Sequence, residues 1–219
     1  MRSRNRTRRG GFTVIEVAIS ISVLAMMMGI FSLVSSTSST AYQAVSTVSG
    51  LDVNARRTLT RVGSELSSIG GSVLAPDPTG NFGAQAIQYQ RAAGVVAGAV
   101  VWGEDTLLGF EYEPGEVDDG LDNDNDGLVD EGLVVLTLGI GGANPRRVVL
   151  CHDVRELALG ELGNGVDDNG NGVADEAGFN VQRVGDVMTV RLCLERRSAG
   201  GGTVVRTHQT SVRLRNIDL

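Results

Sequence analysis

Residues 12–34 read Phe12-Thr-Val-Ile-Glu-Val-Ala-Ile-Ser-Ile-Ser-Val-Leu-Ala-Met-Met-Met-Gly-Ile-Phe-Ser-Leu-Val34, 23 residues with one charge, Glu16. As a helix this stretch reaches about 35 Å, enough to cross a bilayer. Five arginines (Arg2, Arg4, Arg6, Arg8 and Arg9) and then Gly10-Gly11 precede it. Arginines on this side predict that the N-terminus stays in the cytoplasm and that the rest of the chain lies across the membrane. A secretory signal has a shorter apolar region and an A-x-A-like cleavage stretch behind it. Here Ser35-Ser36-Thr37-Ser38-Ser39-Thr40 follows instead. Neither a secretory signal nor a plain anchor explains Glu16, because a carboxylate in mid-membrane costs about 2.5–3.5 kcal/mol on insertion scales. Glu16 lies near the end of the run, where the cost is smaller but still needs a reason.

Arg9-Gly10-Gly11-Phe12-Thr13-Val14-Ile15-Glu16 resembles the type IV prepilin cleavage and methylation signature: a basic leader, glycine, then Phe-Thr-x-x-Glu opening an apolar helix. The resemblance implies that a membrane prepilin peptidase cuts between Gly11 and Phe12 and N-methylates Phe12. Glu16 then becomes the fifth residue of the mature chain and pairs with the terminal amine of a neighbouring subunit. The physics agrees, since a carboxylate held in hydrocarbon needs a cation. The family resemblance further implies a long helix feeding a C-terminal sheet. Arg56-Arg57, Leu59 to Leu66 and the closing Val212-Arg-Leu-Arg-Asn216 resemble minor pilins of the PilW and pseudopilin J type.

Beyond Val34, the residues Val45, Val48, Ala55, Leu59, Val62, Leu66 and Ile69 recur mostly at three- and four-residue steps, which predicts one apolar helix face. Arg56, Arg57, Arg61 and Glu65 fall largely opposite. The expectation is one helix from Phe12 to Ile69, weakened at Gly50 and Gly63 and ended by Gly70-Gly71. Past it the pattern turns to strands: Ala86–Gln90, Gly98–Trp102, Leu107–Tyr112, Leu133–Leu138, Arg147–Val154, Asp186–Glu195 and Thr203–Arg215. Met188, Val190, Leu192 and Leu194 alternate with Thr189, Arg191, Cys193 and Glu195, the period of a half-buried antiparallel strand. The expected fold is α+β and pilin-like. It divides into a leader (1–11), a membrane and filament-core helix (12–34), its amphipathic second half (35–71) and a β-rich head (72–219) carrying two acidic loops.

Those loops repeat at an interval of 45 residues. Residues 118–131 (Asp118-Asp-Gly-Leu-Asp122-Asn-Asp124-Asn-Asp126-Gly127-Leu-Val-Asp130-Glu131) recur as residues 163–176, where Asp167, Asn169, Asn171, Asp175 and Glu176 take the matching places. Oxygens at alternate positions before a glycine turn can converge on one hard cation, with later carboxylates closing the shell. The first copy resembles the start of an EF-hand or thrombospondin-type calcium loop, but Leu133 stands where an EF-hand has its bidentate glutamate. The expected ligands are Asp122, Asp124, Asp126, Asp130 and Glu131, and in a weaker second site Asp167, Asn169, Asn171, Asp175 and Glu176. The expected ion is a structural Ca2+. The bland alternative is a pair of solvated Asn/Asp/Gly turns. Five carboxylates from Asp122 to Glu131 repel one another without a counterion.

Composition narrows the remaining classes. The 219 residues are 42% apolar, with 30 glycines and 4 prolines, which suits one modest core and argues against wholesale disorder. The net charge of -7 gives no general attraction to nucleic acid, and no nucleic-acid partner is expected. All 19 basic residues are arginine, so neither a phosphate-loop lysine nor Schiff-base chemistry is available. His152 and His208 form no spaced pair and no nucleophile motif is evident, so an enzyme is not expected. Cys151 and Cys193 leave both a disulfide and two free thiols open in an oxidising compartment. Trp102 reads as core or partly exposed sheet and Arg196-Arg197 as a solvated turn flank.

The expected function is therefore that of a minor type IV pilin or type II secretion pseudopilin with a structural or assembly-initiating role. It would sit in the bacterial inner membrane as a single-pass protein with its head in the periplasm, and then enter a pilus or pseudopilus. Its expected partners are prepilin peptidase, other minor pilins or pseudopilins and inner-membrane lipid. The alternative is a calcium-dependent adhesin or ligand-binding module displayed on the same anchor.

Overall fold

A computed structural model describes residues 11–69, 74–78, 80–170, 173–198 and 201–214. The expectations for residues 1–10, for Gly70-Gly71 and for Asn171 lie outside the described residues. One helix, α1 (Val14–Leu66), runs without interruption for 53 residues, about 80 Å. It begins at a capping box: the Glu16 N–H donates to Thr13 Oγ1 at 3.3 Å and the Thr13 N–H donates to Glu16 Oε2 at 3.4 Å. The spacing Thr13-x-x-Glu16 is itself a helix-start signal. It gives Glu16 a local role that the membrane argument passed over.

Residues 11–43 are exposed throughout, and α1 is long and apolar enough to cross a membrane. Burial starts at Leu51 and continues through Ala55, Thr58, Leu59, Val62, Glu65 and Leu66, a single face at helical spacing. The expected face is thus displaced. Val45 is 68% exposed, while Leu51 is fully buried. Periodicity locates an apolar stripe but not the point at which the sheet reaches it. The helix also ends about one turn before the expected Ile69, at Leu66. After Leu66 the chain leaves the helix, and Ile69 bridges to Arg91 of a strand. Neither Gly50 nor Gly63 breaks the helix. At Gly63 an added Cβ would lie 3.6 Å from the Val212 side chain, so glycine permits close approach of the last strand.

Eight strands follow among the described residues: β1 (Phe82–Ala84), β2 (Ala86–Val96), β3 (Ala99–Tyr112), β4 (Gly132–Leu138), β5 (Arg146–Val154), β6 (Phe179–Val184), β7 (Val187–Arg197) and β8 (Thr203–Arg213). All pairings are antiparallel, in the order β1-β6-β7-β5-β4-β3-β2, with β8 along the other edge of β7. Two expected strands, Gly98–Trp102 and Leu107–Tyr112, are one. β2 and β3 form a long hairpin whose Ala97-Gly98 turn holds φ of 52° and 85°, the left-handed pair that matches strand twist. β1 and β6 were not expected. Both are short, and β6 follows directly on the second acidic loop.

The helix covers one face of this sheet. Leu51, Ala55, Leu59, Val62 and Leu66 pack with Met188, Val190, Leu192 and Leu194 of β7, Val134 and Leu136 of β4 and Cys151 and Val154 of β5. Thr58 donates to the Leu150 carbonyl at 3.0 Å. The opposite face of β7 is not uniformly wet. Cys193 and Glu195 are buried there, because loops from the far side of the sheet cover the second half of the strand.

Candidate metal centre

Both acidic loops emerge on that covered face, one joining β3 to β4 and the other β5 to β6. Their backbones follow the same plan over a longer span than the sequence repeat suggests, from Glu113 to Glu131 and from Ala158 to Glu176. The Glu113 N–H donates to the Glu131 carbonyl at 3.2 Å, and the Ala158 N–H donates to the Glu176 carbonyl at 2.7 Å. A buried glutamate centres each loop. Glu116 accepts the N–H groups of Asn123 (3.0 Å), Asp124 (2.8 Å) and Asp130 (3.3 Å). Glu161 accepts those of Asn169 (3.0 Å) and Asp175 (3.1 Å).

A second carboxylate closes each turn. Asp130 accepts from the Asp119 and Gly120 N–H groups, and Asp175 accepts from those of Asn164 and Gly165. Asp130 and Asp175 sit in the left-handed region, with φ of 51° and 48°. That region is uncommon for residues with a Cβ. Its recurrence at matching positions shows one backbone design used twice.

The expected ligands separate into two groups. Asp126 turns to the backbone, accepting the Leu128 N–H at 2.8 Å, and Asp130 is held by amides. Asp122, Asp124 and Glu131 do lie in converging groups, together with Glu113 and Glu116, which the sequence does not single out. Carboxylate oxygens of Glu113, Asp124 and Glu131 lie within 4.8 Å of one another, as do those of Glu116, Asp122 and Asp124. A third group, Asp118, Asp130 and Glu156, stands apart, and Glu156 accepts from the Tyr112 hydroxyl at 3.1 Å. Glu116 had a signal in the sequence, because Glu161 stands 45 residues on. Glu113 had none, since its counterpart is Ala158.

Glu131 is the least satisfied acid of the first loop. It is 1% exposed, and neither carboxylate oxygen has a hydrogen-bond partner among the described residues. The buried Oδ1 of Asp122 is also without one. Burial above all, then the charges of Asp126, Glu116 and Asp124, pushes the Glu131 carboxyl up to about 7. Glu113 has a neighbour in His152, whose Nδ1 lies 2.9 Å from its Oε1.

In the second loop the matching acids are differently placed. Asp167 accepts the Gly170 N–H at 2.7 Å, and Asn169 replaces Asp124. Glu176, buried like Glu131, accepts from Arg191 Nη1 at 2.8 Å. Arg191 is on the outward face of β7, where the sequence marks it only as one of the alternating polar residues.

Cys151 and Cys193 are both free and buried. Of the two alternatives open to the sequence, the structure takes the thiols. Cys151 belongs to the core beneath the helix, whereas Cys193 is on the other face and accepts from the Thr207 hydroxyl at 3.4 Å. Burial raises both thiols above the usual range. Arg196, expected to be a solvated flank, pairs with Asp153. His208 lies 3.1 Å from Asp52 of the helix.

Comparison of the chain with protein-family models, with characterised proteins and with solved structures finds no match.

Proposed function

We propose that this chain is a pilin-like filament subunit, a minor type IV pilin or type II secretion pseudopilin, cleaved by prepilin peptidase after Gly11 and N-methylated on Phe12. The observation that carries the proposal is the junction itself. Gly11-Phe12-Thr13-Val14-Ile15-Glu16 opens a 53-residue helix whose first half is apolar and bare and whose second half packs on an antiparallel head. A soluble protein would not leave Ile15, Ile19, Ile21, Leu24 and Met27 each more than half exposed in one run. Lipid first, and neighbouring helices after assembly, supply the missing cover.

In this reading Arg2–Arg9 hold the N-terminus in the cytoplasm of a bacterial cell and the head lies in the periplasm. Glu16, whose side chain caps its own helix in the single chain, exchanges that contact for the methylated amine of another subunit in the filament. Other minor pilins or pseudopilins are the partners. The head acts by packing rather than turnover, and its first acidic loop uses Ca2+ as a structural ion, since its donors are all oxygen.

Mass spectrometry of the chain isolated from a host with prepilin peptidase tests the proposal. The expected product begins at methylated Phe12, and a product that keeps Met1 and the five leader arginines refutes it.

A further inference from the structure

The two loops share a backbone but not a counter-charge. From residue 113 to 131 the chain carries nine acids, and from 158 to 176 it carries five. The cluster runs from Glu131, with Glu113 and Asp124 beside it, to Glu116 and Asp122, which lie beside Asp124. Its counterpart consists of Ala158, Glu161, Asp167 and Asn169. The second loop meets its buried glutamate with Arg191. In the first loop no arginine pairs with a carboxylate between residues 116 and 131 among the described residues. Arg197 lies along Gly127 of that loop but forms no ion pair there among the described residues.

A buried carboxylate with two unpartnered oxygens is costly unless a cation meets it. Glu131 is that group, and its oxygens share a space less than 5 Å across with those of Glu113 and Asp124. We propose that the first loop binds one calcium ion through Glu113, Asp124 and Glu131, with Asp122 beside them, and that the second loop carries Arg191 in the ion's place and binds none.

The physical basis is charge and donor type. Three carboxylates supply up to six hard oxygens, and the free Oδ1 of Asp122 is a further donor near Asp124. Magnesium suits the site less well, because it keeps its waters and demands a tighter octahedron. In the second loop an arginine already donates to Glu176, and the loss of two carboxylates, at Ala158 and Asn169, removes the remaining attraction for a second cation. The inference rests on the calcium reading above and is independent of the cleavage site.

The test is calorimetric titration of the chelator-stripped full-length protein in detergent with calcium chloride, and separately with magnesium chloride. One equivalent of calcium is expected, with magnesium weaker. Glu131→Gln and, as a second variant, Asp124→Asn should each weaken binding about tenfold or more, whereas Glu176→Gln should leave the one equivalent in place. Absence of any calcium uptake by the wild type overturns both this inference and the calcium reading. Uptake of two equivalents, or a Glu176→Gln loss equal to that of Glu131→Gln, overturns the asymmetry alone.

Discussion

Loop 113–131 and loop 158–176 differ less in shape than in how each answers the same electrostatic problem. Both place a buried glutamate (Glu116, Glu161) at the centre of a ring of amides, and both turn on a left-handed aspartate. Both bury a second glutamate against the sheet. Among the described residues, only the second loop gives that residue a protein cation, Arg191. Backbone hydrogen bonds can therefore set a loop's form while leaving its charge balance open. The balance is completed by a strand side chain in one case and, on our proposal, by an ion in the other.

The comparison is broken most directly at Arg191. Arg191→Leu takes the guanidinium away from the buried Glu176, and the expected loss is about 3 kcal/mol, since breaking a buried pair costs more than removing both partners. Denaturant unfolding of the full chain in detergent measures it. The double variant Arg191→Leu/Glu176→Leu should recover most of the loss. A single variant as stable as the wild type would show that Arg191 does not serve as the internal cation.

Calcium removal is the corresponding cut in the first loop. A ligand present at a hundred times its Kd stabilises by about 2.7 kcal/mol, so chelation should lower the unfolding free energy measured in denaturant by that order. In Glu131→Gln, with binding about tenfold weaker, the chelator should cost only about 1.4 kcal/mol. This variant should also be more stable than the wild type when both are metal-free, because a buried charge is gone. Equal sensitivity of wild type and Glu131→Gln to chelator would place the ion elsewhere.

The shared part of the design predicts symmetry. Glu116→Ala and Glu161→Ala each orphan several loop amides, and each should cost about 2 kcal/mol, with the Glu116 variant measured in chelator to set the ion aside. A tenfold difference between their unfolding constants would mean that the loops are alike in outline only. The smallest effect is expected from Asn169→Asp, which restores the aspartate of the first loop but neither Glu113 nor a free Glu176. The calorimetric stoichiometry should not change.

The parts of this molecule legible from the chain are those set by near neighbours. The apolar run after Phe12 reads as a helix because its hydrogen bonds are local, and β7 and β8 read as strands because alternation and the Ser198 to Gly202 turn are local too. The acidic repeat is legible because it is a duplication. Its true length is visible only through Glu116 and Glu161. Glu113 shows no such signal, for it reaches Glu131 from the end of a different strand. The same holds at Val45 and Leu51, where periodicity is shared along the helix but cover by the sheet is not.

Sequence by itself determined the long helix, the antiparallel head and the acidic repeat, because period, turn chemistry and residue type act over a few positions. Tertiary structure alone decided where the helix meets the sheet, that the two cysteines stay on opposite faces, and that Glu176 meets Arg191 while Glu131 meets no partner among the described residues. Each of these depends on contacts between distant segments, and the free energy of a buried charge is set by whatever those segments bring within a few ångströms of it.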